Sequence, residues 1–342
     1  MPGARETWEG RPPATPATEI ELPERDTPHA LQRLSLWRRI QGLLSRQPAP
    51  RSPQAPGPHA LSPSTAILPS ADRIETPEDI SQEKGGQEDG PPSLVVYCLG
   101  PFRVYHNNQL ITDWDSLKAR SILKYLVAHR GTPIGKEILM DIFWQDADPE
   151  AARRNLHQAI YSLRQTLRRG QPDFQHVHFE SECYLLNPEL EIWLDFSEFE
   201  EHAQAGRRLE VAGQLAKALA EYGIAEGLYQ GDFLEEDLYE DWARVQREHL
   251  RNIYLDIVGR LSGYYLQQGE YVAATALCQK ILAQDNCHEE AHRRLMHCYL
   301  AQGQRHLAMR QYQACVEALK EELDLTPSEE TAVLYQRITA AT

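Results

Sequence analysis

A short pattern recurs near the end of this chain. Tyr265-Leu266-x-x-Gly269 returns as Tyr299-Leu300-x-x-Gly303, an offset of 34 residues, and Ala274 returns as Ala308 at the same offset. A fixed period of this length means stacked helix–turn–helix units, each unable to bury its apolar face alone. A degenerate earlier unit is read across 209–230, where Ala216, Leu219 and Tyr222 fall at helical spacing. The chain from about residue 195 onward is therefore expected to be helical, and no single sheet-based fold fits the whole.

Thirty-four is the tetratricopeptide period, and such arrays present a concave protein-binding surface. The rest of the chain differs in composition. Sixteen of the 22 prolines lie in residues 1–92. That density, with abundant Ser, Gly, Gln and Glu, buries too little apolar surface to offset the entropy of ordering, so 1–92 reads as a mostly disordered arm. Within it, "LQRLSLWRRIQGLLSRQ" (31–47) places Leu31, Leu34, Ile40 and Leu44 near one face with arginines between them. It reads either as a short helix for a partner or membrane surface or as a transient helix without one.

Between arm and repeats lies a segment of another kind. "LVVYCLGPFRVY" (94–105) reads as two strands broken at Gly100-Pro101, Asn107-Asn108 as a turn, and 110–112 as a third strand. Helices are expected at 116–129 and from Lys136 to Phe143. A third, about 149–169, is capped by Asp148 with Pro149 in its first turn. The runs 176–180 and 184–187 form a hairpin through Ser181-Glu182-Cys183. Three helices followed by a hairpin is a winged helix. The expected fold is thus multidomain and mainly α: an arm (1–92), an α+β winged-helix domain (93–190) and an all-α repeat domain (191–342).

The net charge of −15 argues against nucleic acid only until it is divided. Residues 191–342 carry 14 Lys/Arg against 26 Asp/Glu, whereas residues 94–190 balance at 11 against 11. On the third helix, Leu156, Ile160, Leu163 and Leu167 make a narrow apolar stripe. Arg153, Arg154, His157, Gln158, Tyr161, Arg164, Gln165 and Arg168 share the adjoining face, and no acid occurs between Ala151 and Gly170. Arginine and glutamine suit bidentate contacts with guanine and adenine edges. The rival reading is a solvated face that only keeps the helix wet.

"LGPFRVYHNNQLI…W…KARSILKYLVAHRGTPIGKEILMDIFWQDADPEAARRNLHQAIYSLRQTLR" resembles the OmpR-type winged-helix domain of the Streptomyces antibiotic regulatory protein (SARP) family. "LYQGDFLEEDLYEDWARVQREHLR" (228–251) and "AHRRLMHCYLAQGQRHLAMRQYQACVEALKEELDLTPSEET" (291–331) resemble that family's bacterial transcriptional activator domain. The resemblance covers about 94–340. It implies a transcriptional activator that binds double-stranded DNA with its third helix in the major groove and a wing near the minor groove. It also implies a repeat domain that serves regulation or meets RNA polymerase or another regulatory protein. By position it assigns DNA contact to Arg153, Arg154, His157, Gln158, Tyr161 and Arg164, and it sets Lys118 and Arg120, at the start of the first helix, near phosphates. The wing tip has no basic residue, a departure from what phosphate contact favours.

Other chemistry is weaker. "HEEAH" matches the zinc-hydrolase pattern through His288, Glu289 and His292, with Cys287, His297 and Cys298 nearby, but it opens a helix of the repeat array and lacks an evident third ligand. "GTPIGKE" (131–137) lacks phosphate-loop spacing. "GDFLEEDLYEDW" (231–242) reads as a solvated acidic turn or an acidic docking surface. No enzyme activity, cofactor or metal is expected. The six cysteines are scattered, no signal-like segment opens the chain and no 18-residue apolar run exists, so a cytoplasmic protein with reduced thiols and no membrane span is expected. A scaffold whose winged helix has lost DNA affinity is the alternative function.

Overall fold

The computed structural model describes residues 93–169 and 173–340. The expectations for the arm and for a helix at 31–47 lie outside the described residues.

Strand β1 (Ser93–Tyr97) pairs antiparallel with β2 (Arg103–His106), which pairs with the two-residue β3 (Gln109–Leu110). Asn107 and Asn108 make the second turn, with φ of 47° and 65°; Asn is among the few side chains that accept that region. The sheet has a fourth strand, β7 (Glu191–Leu194), parallel to β1. The sequence reading missed it because its partner is far away in the chain and four residues carry little pattern.

Helix α1 (Leu117–Ala128) is capped by the Ser116 hydroxyl, which accepts from Ala119 N at 3.2 Å. A short strand β4 (Ile134–Gly135), also unread in the sequence, leads into α2 (Lys136–Phe143). The Asp148 carboxylate caps α3 (Pro149–Leu167), accepting from Glu150 N and Ala151 N at 3.1 and 3.0 Å. The hairpin β5 (Val177–Glu180) and β6 (Cys183–Leu186) follows, with β4 on the far side of β6. Its tip is Ser181-Glu182, both at positive φ, and Cys183 already belongs to β6. Leu156, Ile160, Leu163 and Leu167 pack in one core with Ile122, Leu123 and Leu126 of α1 and Leu139 and Phe143 of α2. This is a winged helix.

The helices that follow are α4 (Asp195–Val211), α5 (Leu215–Leu228), α6 (Asp241–Gln267), α7 (Tyr271–Gln284), α8 (Glu289–Ala301), α9 (Arg305–Leu323) and α10 (Glu329–Ala340). Three hairpins turn identically. Gly213, Gly269 and Gly303 lie at φ of 71°, 78° and 72°, and the residue after each donates its N–H to the carbonyl of Leu209, Tyr265 and Tyr299. Five residues beyond each glycine a fully buried alanine lets paired helices touch: Ala218, Ala274 and Ala308. The degenerate unit thus exists, but its first helix begins at Asp195 rather than near 209. On that pair a Cβ at Gly206 would stand 2.4 Å from the Tyr222 ring, so α4 and α5 approach to a distance only glycine permits.

Winged helix and repeats share one continuous core. The Asp195 side chain, fully buried at the start of α4, accepts from Cys98 N, Leu99 N and Phe196 N, each at 2.8 Å. Burial pushes its carboxyl up to about 7, with these three donors pulling the other way. Alongside it, Gly100 N donates to Asp232 O (3.1 Å), Leu234 N donates to Cys98 O (2.8 Å), and a Cβ on Gly231 would meet the Gly100 Cα at 2.9 Å. A second buried polar pair sits between the sheet and the hairpin root. His106 Nε2 and His176 Nε2 lie 3.4 Å apart. Burial, then the His106 ring and the Arg168 charge, depress the His176 imidazole to about 4.

Two outcomes follow. Replacing Asp195 by Ala strands three buried N–H groups, each costing about 1–3 kcal/mol, so denaturant unfolding of D195A is expected to lose at least ~3 kcal/mol; an unchanged midpoint would refute this role for the carboxylate. His176 is held neutral below its free value of 6.5, so its contribution is complete above that value and disappears as pH falls toward 4. The Asp195 shift opposes it in the same range, so the informative quantity is a difference. Between pH 7 and pH 5 the unmodified protein should lose about 2 kcal/mol relative to His176→Gln, and parallel pH curves for the two would contradict the assignment.

Candidate nucleic-acid interface

Helix α3 is divided along its length. From Ala152 to Tyr161, Arg153, Arg154, Asn155, His157, Gln158 and Tyr161 are all exposed, with Tyr161 at 59%, while Ala152, Leu156, Ala159 and Ile160 are buried. Asn155 was not singled out in the sequence because it lies past the basic face, toward the apolar stripe; its carboxamide is nonetheless the group best suited to adenine.

The C-terminal half is tied down. Arg164 donates from Nε and Nη2 to Val177 O at 3.1 and 2.9 Å, fastening α3 to the first residue of the hairpin. Its guanidinium is half-buried, and that burial lowers its pKa. Arg168 is partly buried, with its charge near the His176 ring. Arg169 pairs with Asp115 at 3.4 Å and Asp113 at 3.8 Å. Gln165 remains exposed.

On α1 the two basic residues part company. Lys118 is exposed, with its ammonium 5.7 and 5.9 Å from the Phe143 and Trp144 ring centres. Arg120 turns toward the repeat domain, where it pairs with Glu236 at 2.8 Å and donates to Phe102 O at 3.2 Å. Lys124, which the sequence reading did not single out, is buried beside it and pairs with Asp237 and, at 3.6 Å, with Glu236. The acidic stretch 231–242 is therefore neither a solvated turn nor free for an outside partner along its whole length. Its acids neutralise α1, Trp242 packs edge-on against Tyr125 at 4.9 Å, and Arg247 holds its carbonyls at Phe233 (2.8 Å) and Asp237 (3.0 Å). A charge count alone cannot reveal this, because partners more than a hundred residues apart meet only in the fold.

The wing tip is acidic. Lys136, at the start of α2, pairs through Nζ with the Glu182 carboxylate and donates its backbone N–H to Glu182 O at 3.0 Å. Glu180 and Phe179 are exposed on the same hairpin.

The HEEAH residues hold helix ends. His288 Nδ1 accepts from Ala291 N at 3.2 Å. Glu289 accepts from Ser328 N, Ser328 Oγ and Thr331 Oγ1 at 2.9, 2.7 and 2.7 Å, capping α10 from the neighbouring helix. The His292 ring lies 2.9 Å from Asn286 O and 2.6 Å from Gln311 Nε2. Among the described residues no group of three or more His, Cys, Asp or Glu is placed to hold a metal ion. Among them, too, no helix is long and apolar enough to cross a membrane.

Comparison with known proteins agrees with this division. Residues 116–180 match the family model "Transcriptional regulatory protein, C terminal", and residues 194–339 match "Bacterial transcriptional activator domain". The chain is 26% identical over 269 residues to the regulatory protein AfsR of Streptomyces griseus, covering 79% of this chain but only 26% of AfsR, so it spans about a quarter of that relative. It is 22% identical over 222 residues to the transcriptional regulatory protein MoaR1 of Mycobacterium tuberculosis, covering 65% of this chain and 71% of MoaR1. A solved structure of Mycobacterium tuberculosis EmbR in complex with a low-affinity phosphopeptide shares the fold. Its TM-score is 0.59 at 20% identity, with 73% of this chain and 65% of that one covered. A regulatory-protein C-terminal domain of the winged-helix type followed by a bacterial transcriptional activator domain makes the chain similar, over both domains, to SARP-type transcriptional regulators.

Proposed function

We propose that this protein is a sequence-specific activator of transcription that works by binding, without catalysis, in the cytoplasm on the bacterial nucleoid. The observation that carries the reading is the open face of α3 from Arg153 to Tyr161, a stretch that holds no acid. Arg153, Arg154, His157, Gln158 and Tyr161 are exposed side by side, and Asn155 joins them. From residue 153 to 161 the helix rises about 12 Å, and base pairs are spaced at about 3.4 Å, so one copy reads directly about three to four base pairs. Arg168 and Lys118 lie outside that span and serve phosphates, which position without specifying. Arg164 and Arg120 act through the protein: the first sets the angle between helix and wing, the second joins the winged helix to the repeats.

The repeat domain carries a net charge of −12 over residues 191–342, which DNA repels. Its surface is therefore the part that meets protein, and RNA polymerase or another regulator is the partner this reading assigns to it.

The test uses the full chain and a site selected from random DNA. Arg153→Ala should weaken that site by about 1–3 kcal/mol, roughly 5- to 150-fold, and relax the preference at one base pair while leaving the melting temperature unchanged. Arg164→Ala should weaken specific binding and also lower the melting temperature, because it releases the hairpin. Selection that enriches no sequence even at low salt would favour the scaffold reading instead.

A further inference from the structure

We propose that Glu182 is a restraining residue: its carboxylate at the wing tip masks Lys136 and thereby suppresses phosphate contact at the start of α2. The inference rests on the DNA-binding reading above. In helix-turn-helix docking the first helix of the pair crosses the DNA backbone while the second enters the groove. Here the first helix is α2, and Lys136 is its first residue. This lysine belongs where a phosphate would lie, yet only 14% of its side chain is exposed. It is engaged by Glu182, with Glu137 also 3.9 Å away.

The mask is built by backbone, not by chance side-chain placement. Gly135 pairs with Cys183 across β4 and β6, and Lys136 N donates to Glu182 O. Ser181 and Glu182 form a tight two-residue turn at φ of 49° and 65°, which fixes where the carboxylate can reach. Glu180, exposed on the same hairpin, adds negative charge. Such a wing weakens binding to every sequence alike, since phosphate contact carries no sequence information. What remains is the base-reading half of α3, so the device exchanges affinity for discrimination.

The experiment measures DNA affinity against salt for four full-length forms: unmodified, Glu182→Gln, Lys136→Ala and the double variant, on the selected site and on random duplex. The glutamine keeps the backbone bond from Lys136 N, and thermal melting verifies the fold. Glu182→Gln is expected to bind both DNAs roughly three- to tenfold more tightly at about 0.1 M salt. Its log–log salt slope should steepen by about 0.9, one further phosphate. Lys136→Ala alone should change little, and in the double variant it should remove the gain. Unchanged or weaker binding by a folded Glu182→Gln overturns the proposal, as does a gain that survives loss of Lys136. Absence of DNA binding by all four forms would instead overturn the DNA-binding reading on which it rests.

Discussion

One buried carboxylate holds the two halves of this protein in register. Asp195 ends the link from β7 and begins the first helix of the repeats, and its oxygens take up backbone N–H groups at the end of β1 as well as its own helix terminus. A fully buried acid is costly unless its hydrogen bonds are complete. Three donors at 2.8 Å complete them, so the segment after β1 can lie only where α4 begins. The loop around Gly231 then closes on Gly100 at a distance that admits no side chain there. The winged helix and the repeats consequently share a core and form one body, rather than two domains on a tether.

That joint redistributes charge. Arg120 and Lys124 would add to a basic DNA-facing surface if the winged helix stood alone. Joined to the repeats, they meet Glu236 and Asp237, and partial burial makes such pairs stronger than exposed ones. The arginines of α3 are sorted in the same way. Arg164 and Arg169 serve the wing and the segment ahead of α1, and the N-terminal guanidinium groups stay open. A single helix is thereby open at one end and anchored at the other.

Much of this was legible in the chain itself. Asp148-Pro149 marks a helix start by local capping chemistry, and the structure begins α3 there. The 34-residue offset identified the paired glycines and alanines because every unit repeats the same turn. Strands β4 and β7 were not legible, since two or four residues show no periodicity and their partners are remote. Arg164 lies only 20° from Arg153 on a helical wheel, so periodicity assigns both to one face. Val177, thirteen residues farther on, separates their roles.

The sequence by itself determined where the helices of the winged helix begin and end, which face of its third helix is apolar, and which part of the chain is acidic. These follow from capping, periodicity and composition, all of which act within a few residues. Only the tertiary structure decided which charges are free. A cationic side chain is open, an anchor or a joint according to whether an oxygen lies beside it and which segment supplies that oxygen. For Arg120 that oxygen belongs to Glu236, and for Lys136 it belongs to Glu182, on segments that only folding brings together.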